Sequence, residues 1–237
     1  MSLTLIVPIA ADNNSDKENI PYLFLPDNNG IILCVKSIFG LNYTDFDRII
    51  FTILEKHDKQ YYLVDTLNTQ FKRLGLNNVE IIKLKRPTKN QAETIFQTIQ
   101  QAKIEGSIFI KDADSYFNGI IYADNLISTA SLEDLQIVDP RNKSYVTIDE
   151  MCYVTNIIEK RINSKFFSAG GYCLKDVNDF CRYFNILSHY NNLYISHIIY
   201  SMLLDKLTFK PLFIDNYIDW GTFELRKLYL SKTYAEN

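Results

Sequence analysis

The segment GSIFIKDADSYF, residues 106–117, decides the fold of this chain. Its apolar part, 108–110, has the character of a buried β-strand. That run ends in two carboxylates, Asp112 and Asp114, which are separated by the small Ala113. If the segment stays extended, both carboxylates point the same way, because side chains alternate along a strand. A solvated loop is one explanation of this acidic pair, and a metal-binding edge that handles phosphates is the other.

Upstream of this segment, strand-like and helix-like runs alternate. Residues 3–9, 47–54 and 79–84 are continuous apolar or β-branched runs typical of buried strands. Residues 31–39 could be a helix, and residues 59–75 and 88–104 have the apolar spacing of helices. This alternation predicts an α/β, Rossmann-like domain with a mainly parallel mixed sheet flanked by helices. In such sheets ligands bind outside the carboxyl ends of the strands, which is where the acidic pair lies.

The second half of the chain changes in character. Residues 143–160 predict a hairpin around the acidic turn Asp149-Glu150, and residues 165–176 predict a strand that carries the pair Gly170-Gly171. Two helical runs follow, and then a strand, a turn and a last helix that Thr222 is suited to cap. With no linker or shift in composition, the sequence predicts a single domain over residues 1–237.

Composition limits the classes of partner. The net charge of −3 gives no basic field for nucleic acid or an anionic membrane. The sequence contains no apolar run of the roughly 20 residues that a membrane helix needs. Four cysteines without a close pair are typical of reduced thiols, so a cytoplasmic protein without membrane or nucleic-acid partners is expected. The oligomeric state is left open, with a homo-oligomer among the alternatives.

Five segments, taken in order, resemble the sugar-phosphate nucleotidyltransferases, or nucleoside-diphosphate-sugar pyrophosphorylases. The last three together carry most of the specificity, and the resemblance extends over almost the whole chain. The segments are LIVPIAA (5–11), FIKDADSYF (109–117), SYVTIDEMCYVTNIIEK (144–160), FFSAGGYCLKD (166–176) and YIDWGTFELRKLY (217–229).

The resemblance implies a GT-A-type domain that joins a nucleoside triphosphate to a phosphorylated sugar, or a similar small molecule, and releases pyrophosphate. It implies a nucleotide-binding half, 1–117, a sugar-phosphate-binding half, 118–237, and a role in nucleotide-sugar and surface-polysaccharide synthesis. Asp114 and Asp219 would hold Mg²⁺ and be catalytic; two carboxylates suffice because Mg²⁺ keeps water and phosphate oxygens as its other ligands. Lys160 would hold the acceptor phosphate and Glu159 its hydroxyls. The substrate-binding residues implied are Ala10, Ala11, Asn90, Asp112, Glu159, Lys160, Gly170 and Gly171.

The sequence departs from this family at the triphosphate loop. The family has a glycine-rich loop that ends in an arginine, whereas this chain has Asp12, Asn14 and Asp16 in the stretch 10–26. Backbone N–H groups of a glycine-rich loop cradle phosphates, and acidic side chains repel them by about 1 kcal/mol or more per close contact. Lys17 is the candidate for the missing catalytic cation. Asn90 stands where the family has a glycine near the base.

Three hypotheses follow from this mixture. The first is a working nucleotidyltransferase that uses Lys17 or another basic residue. The second is a relative that binds sugar or nucleotide and has lost the reaction. The third is a metal-dependent glycosyltransferase of the same fold, in which Asp112-Ala113-Asp114 holds the diphosphate of a nucleotide sugar through a metal; fold alone does not separate these.

Overall fold

A nine-stranded mixed sheet lies at the centre of the computed structural model, which describes residues 2–10, 20–134 and 140–235. The strands are β1 (Leu3–Ile9), β2 (Arg48–Leu54), β3 (Val79–Leu84), β4 (Ser107–Lys111), β5 (Ser115–Asn118), β6 (Leu126–Ser131), β7 (Ser144–Ile148), β8 (Val154–Glu159), β9 (Phe166–Leu174), β10 (Lys210–Phe213) and β11 (Asp215–Asp219). The sheet order is β10-β6-β9-β4-β1-β2-β3, with β7 and β8 attached through β9. Strands β5 and β11 form a separate antiparallel pair.

Helices connect and cover these strands. They are α1 (Leu33–Lys36), α2 (Glu55–Tyr61), α3 (Leu63–Arg73), α4 (Gln91–Ala102), α5 (Val177–Leu187), α6 (Ile195–Leu204) and α7 (Phe223–Ala235). Within the described ranges, none of the helices combines the length and the apolar character that crossing a bilayer requires.

The sheet confirms the predicted fold class. Strand β1 pairs in parallel with both β2 and β4, and β2 pairs in parallel with β3. Strand β9 runs antiparallel between β4 and β6, and so joins the first half of the chain to the second within one sheet. The predicted hairpin is also confirmed, because β7 and β8 pair antiparallel and the Asp149 carboxylate accepts the backbone N–H groups of Met151 and Tyr153 in the turn.

The continuous apolar character of the first strand follows from burial on both faces. Leu5 lies in one apolar layer with Leu67 and Phe71 of α3, whereas Ile6 lies in the other with Ile95 of α4. Each of these residues is at most 3% exposed. Burial of apolar side chains contributes about 1.5–3 kcal/mol each, so the two layers fix the central strands and the edge at which they end.

Three local predictions were inaccurate. The helix predicted over 59–75 is two helices, because Tyr62 adopts the left-handed conformation (φ 53°) and the Asp58 carboxylate accepts the N–H of Val64 across the break. The helical run at 31–39 gives only the four residues of α1. The single strand predicted before the last helix is two strands, of which β10 joins the main sheet and β11 pairs with β5.

Candidate active site

The two carboxylates that follow β4 lie in a turn. The strand ends at Lys111, so the segment does not stay extended through the two acids. The N–H of Asp112 still donates to the carbonyl of Gly170 at 2.7 Å and continues the ladder with β9. The chain then turns, and Ser115 begins β5. Asp112 and Asp114 nevertheless line the same cavity.

The turn is held against the C-terminal part of the chain. Asp219, the last residue of β11, is in register with Ser115 of β5. The next residue, Trp220, is fully buried; its backbone N–H donates to the carbonyl of Asp114 at 2.9 Å and its Nε1–H to the carbonyl of Ala113 at 3.1 Å. Asp114 and Asp219 are far apart in sequence, and these hydrogen bonds hold them at the same end of the short sheet formed by β5 and β11.

The carboxylates of Asp114 and Asp219 approach the same point. A methyl group placed on Gly221 would lie 2.8 Å from Oδ2 of Asp114 and 3.2 Å from Oδ1 of Asp219. The N–H of Gly221 also donates to Oδ1 of Asp219 at 2.7 Å. The two aspartates therefore lie beside the same position, Gly221.

Two lysines compensate this negative charge. Lys143, which directly precedes β7, forms an ion pair with Oδ2 of Asp219. Lys111 is fully buried beneath the turn, and its Nζ donates to the carbonyl oxygens of Asp112 (2.7 Å) and Ser115 (2.8 Å) and to the Ser115 hydroxyl (3.0 Å). Burial lowers the pKa of the Lys111 ammonium to about 8, although the nearby aspartates oppose that shift.

Burial shifts the pKa values of the acids upward, in the opposite direction to that of Lys111. Desolvation, reinforced by the charge of Asp114, raises the pKa of Asp112 to about 7. The pKa of Asp114 is also raised, by burial first and by the charge of Asp219 second. Oδ1 of Asp112 accepts a hydrogen bond from Nε2 of Gln91, at the start of α4, at 2.6 Å. The site thus holds two carboxylates, those of Asp112 and Asp114, in positions that disfavour their charged forms.

Gly170 makes room for one of these carboxylates. Its φ is +81°, and a methyl group there would lie 2.5 Å from Oδ2 of Asp112. We expect Gly170→Ala to lower the free energy of unfolding by about 2–3 kcal/mol, from the left-handed backbone and the displaced carboxylate together. Urea denaturation measures this change. Gly75→Ala is the matched control, because Gly75 also has a positive φ (+71°) but nothing within 4 Å; equal losses in both variants would show that the contact with Asp112 is unimportant.

The Glu159-Lys160 pair lies at the end of β8, across the cavity. Glu159 accepts hydrogen bonds from the hydroxyls of Ser144 and Ser196, the latter at 2.7 Å. Nζ of Lys160 donates to the hydroxyl of Tyr194 at 2.8 Å and lies 4.7 Å from the centre of its ring. Since Tyr194 and Ser196 are at the start of α6, that helix positions both members of the pair.

These groups line one cavity of about 510 Å³, a size suited to a small ligand. Its lining contains four carboxylates and two lysines from the described residues. Six of the predicted site residues are brought together there. They are Asp112, Asp114, Glu159, Lys160, Gly170 and Asp219.

The other predicted site residues lie elsewhere or outside the description. Ala10 is buried against Leu54 and Leu84 at the end of β1 and is not part of the lining. Gly171 faces the core, where a methyl group would lie 2.3 Å from Oγ of Ser128. The side chain of Asn90 accepts the N–H of Glu93 and so caps α4. Ala11 and Lys17 fall outside the described residues.

The aspartate pair suits a hard divalent cation. Carboxylate oxygens are the protein ligands that Mg²⁺ prefers, and it takes its remaining ligands from water and phosphate. No cluster of three or more His, Cys, Asp or Glu side chains able to hold a metal ion occurs within 2–10, 20–134 and 140–235. A cation at this point would therefore depend on Asp114 and Asp219 together with oxygens from its substrate.

Several residues of the site were missed by reasoning from sequence. They are Lys111, Lys143, Gln91, Tyr194, Ser196 and Tyr217. Lys111 carried a usable signal, because a lysine inside a buried strand needs a partner for its charge. The others gave none, since they occur in segments that have the ordinary composition of helix starts, loops or an outer strand.

Comparison with known proteins supports the fold. No family model and no curated protein matches this chain. Among solved structures, a nucleoside-diphosphate-sugar pyrophosphorylase from Vibrio cholerae RC9 has a TM-score of 0.79 at 17% identity, over 96% of this chain and 99% of the other. The inositol-1-phosphate CTP transferase from T. maritima has a TM-score of 0.71 at 16% identity, over 98% and 96%.

A third neighbour contains a ligand. It is a UDP-glucose pyrophosphorylase complexed with UDP-glucose, with a TM-score of 0.70 at 12% identity over 100% of both chains. At these identities the likeness concerns the fold, as the sequence resemblance implied. This chain therefore has the fold of the nucleoside-diphosphate-sugar pyrophosphorylases and related sugar-phosphate nucleotidyltransferases.

Proposed function

We propose that this protein transfers a nucleoside monophosphate from a nucleoside triphosphate to a sugar phosphate, or to a similar phosphorylated small molecule, and releases pyrophosphate. The observation that carries the proposal is the convergence of Asp114 and Asp219 beside one point of a cavity that also contains Glu159 and Lys160. The structural neighbours that act on nucleotides and phosphorylated small molecules support it.

The charge of the cavity supports a need for added cations. Four carboxylates and two lysines leave the described lining negative, which is unfavourable for two phosphorylated substrates. Asp114 and Asp219 would hold Mg²⁺, which would supply positive charge to the departing pyrophosphate. We assign a second source of positive charge to Lys17. We place Ala10, Ala11 and Asn90 in the surroundings of the nucleotide.

The reaction requires positioning more than proton transfer. An oxygen of the acceptor phosphate attacks the α-phosphorus, and the bond from that phosphorus to the oxygen leading to the β-phosphorus breaks, so that pyrophosphate leaves with the bonding electrons. Lys160 binds the acceptor phosphate, and Glu159 accepts hydrogen bonds from the acceptor hydroxyls. Ser144 and Ser196 hold Glu159 in the orientation that this requires.

The two halves of the chain contribute different groups. Residues 1–117 supply Asp112 and Asp114, and residues 118–237 supply Glu159, Lys160 and Asp219. This distribution is consistent with a nucleotide-binding half and a sugar-phosphate-binding half, which we retain as a proposal. A nucleotide sugar formed in this way is a precursor for polysaccharide synthesis.

A substrate panel tests the proposal. The purified protein is incubated with Mg²⁺, each of the common nucleoside triphosphates and a set of phosphorylated sugars and alcohols, and pyrophosphate is measured with an enzyme-coupled assay. We expect pyrophosphate release that requires one particular triphosphate and one class of acceptor. Thermal stabilisation by nucleotide or sugar phosphate without any pyrophosphate would instead identify a binding protein, and release of nucleoside diphosphate from a nucleotide sugar would identify a glycosyltransferase.

A further inference from the structure

Lys143 contacts Asp219, which is one of the two carboxylates on which a metal ion would depend. Its Nζ forms an ion pair with Oδ2 of Asp219 and donates to the hydroxyl of Tyr217 at 2.7 Å. The ammonium also lies 5.2 Å from the ring centre of Tyr217 and 5.8 Å from that of Phe167. The side chains of Lys143 and Asp219 are only 13% and 10% exposed, so water screens this ion pair weakly.

The sheet holds this lysine in place. Its carbonyl accepts the backbone N–H of Lys160 at 2.9 Å, and the next residue, Ser144, is in register with Glu159 of β8. Lys143 is therefore tied to the strand end that carries the Glu159-Lys160 pair. Lys143 is held by its backbone bond to Lys160, and Asp219 is held in β11. Because both residues are fixed by the sheets, their ion pair is a feature of the fold and not a chance contact of a surface side chain.

An ammonium and a divalent cation on the same carboxylate repel each other. The repulsion is large in a partly buried site, where the effective dielectric constant is well below that of water. A divalent cation therefore binds Asp219 favourably only when the ammonium moves away from that carboxylate. Since Lys143 already lines the cavity, its ammonium can leave Asp219 and stay in contact with the space that the phosphates would occupy.

We propose that Lys143 is a built-in competitor of the divalent cation at Asp219, which holds that carboxylate when the nucleotide is absent and releases it when metal and nucleotide bind. The inference rests on the proposed function, because it takes Asp114 and Asp219 as the metal site. It adds that metal binding to the nucleotide-free protein is weak and that Lys143 becomes a counter-charge for phosphate once it is displaced.

Binding of Mn²⁺ to the nucleotide-free protein tests this competition. The free ion is measured by electron paramagnetic resonance, without any catalytic assay. Lys143→Met and Lys143→Gln should each tighten Mn²⁺ binding by about tenfold or more, which corresponds to about 1.4 kcal/mol. Lys165→Met should bind as the wild type does, because Lys165 forms an exposed ion pair with Glu133 on the surface. Adding Asp219→Asn to Lys143→Gln should abolish the gain.

The result separates this inference from the proposed function. Equal Mn²⁺ affinities of the wild type and both Lys143 variants, whose folding is checked by circular dichroism, would overturn the role of Lys143, and so would a gain that survives Asp219→Asn. Pyrophosphate release by the wild type would leave the transfer reaction standing in either case. Conversely, tighter Mn²⁺ binding in the variants of a protein that forms no pyrophosphate would support the competition and reject the reaction.

Discussion

Replacing Asp114 with asparagine should reduce the rate of pyrophosphate formation by about a hundredfold to a thousandfold, the range found when one electrostatic contact to a reacting group is removed. The same loss is expected for Asp219→Asn. In each variant one of the two carboxylates that approach the point beside Gly221 is neutralised, while the size and polarity of the side chain are kept. The rate constant at saturating substrate is the measurement.

The stability of the Asp114 variant should move in the opposite direction. Burial and the charge of Asp219 raise the pKa of Asp114 above its ordinary value, so the folded protein disfavours the ionised form. An acid of this kind binds more protons in the folded than in the unfolded state between the two pKa values, and stability falls as the pH rises through that window. Asparagine removes this penalty, and thermal melts at pH 7–8 should show an equal or higher midpoint.

The combination of lost activity and kept stability is what distinguishes a functional acid from a structural one. Asp215→Asn is the control, because Asp215 lies exposed at the other end of β11 and outside the cavity lining. It should change neither rate nor melting temperature appreciably. A stable Asp114→Asn protein with wild-type turnover would remove Asp114 from the site.

Much of this architecture could be predicted from the sequence because the signals are local. The runs 3–9 and 79–84 became β1 and β3 with the predicted bounds, since strands buried on both faces are apolar at almost every position. Asp114 and Asp219 could be paired only through the family resemblance, because nothing local to either residue indicates the other. Their contact depends on the pairing of β5 with β11, which is long-range.

The counter-charge supplied by Lys143 could not be predicted, and the reason is physical. Lys143 follows Arg141 and Asn142 in a stretch with the composition of a solvated loop. Its ion pair with Asp219 joins residues 76 positions apart. Asn90 also has a local role: its place in the sequence suggests a nucleotide contact, and its side-chain oxygen accepts the N–H of Glu93 as a helix cap does.

Lys111→Met should be the most destabilising single change in the site, with a loss of about 3–5 kcal/mol in the free energy of unfolding. The ammonium is fully buried and donates three hydrogen bonds in the turn that carries Asp112 and Asp114. Methionine fills a similar volume but donates none of these bonds and supplies no charge. Two carbonyl oxygens lose their donor, and nearby carboxylates lose a cation.

Urea denaturation with a double-mutant cycle separates these two causes. If the missing charge matters, Asp112→Asn should be less harmful, or even favourable, in the Lys111→Met background, because fewer acids then need compensation. Lys83→Met is the control, since the Lys83 side chain is 46% exposed in its ion pair with Asp58 and should contribute less than about 1 kcal/mol. A loss at Lys111 no larger than that of the control would mean that the buried ammonium does not hold the turn.

The two lysines beside the acids, Lys111 and Lys143, therefore have different roles. Lys111 is fully buried beneath the acids and serves the fold, whereas Lys143 lines the cavity and forms an ion pair with Asp219. Loss of the first should lower stability, and loss of the second should alter cation affinity. If Lys111→Met instead left stability unchanged and changed Mn²⁺ binding alone, the division of labour between the two ammonium groups would be the reverse of the one argued from their burial.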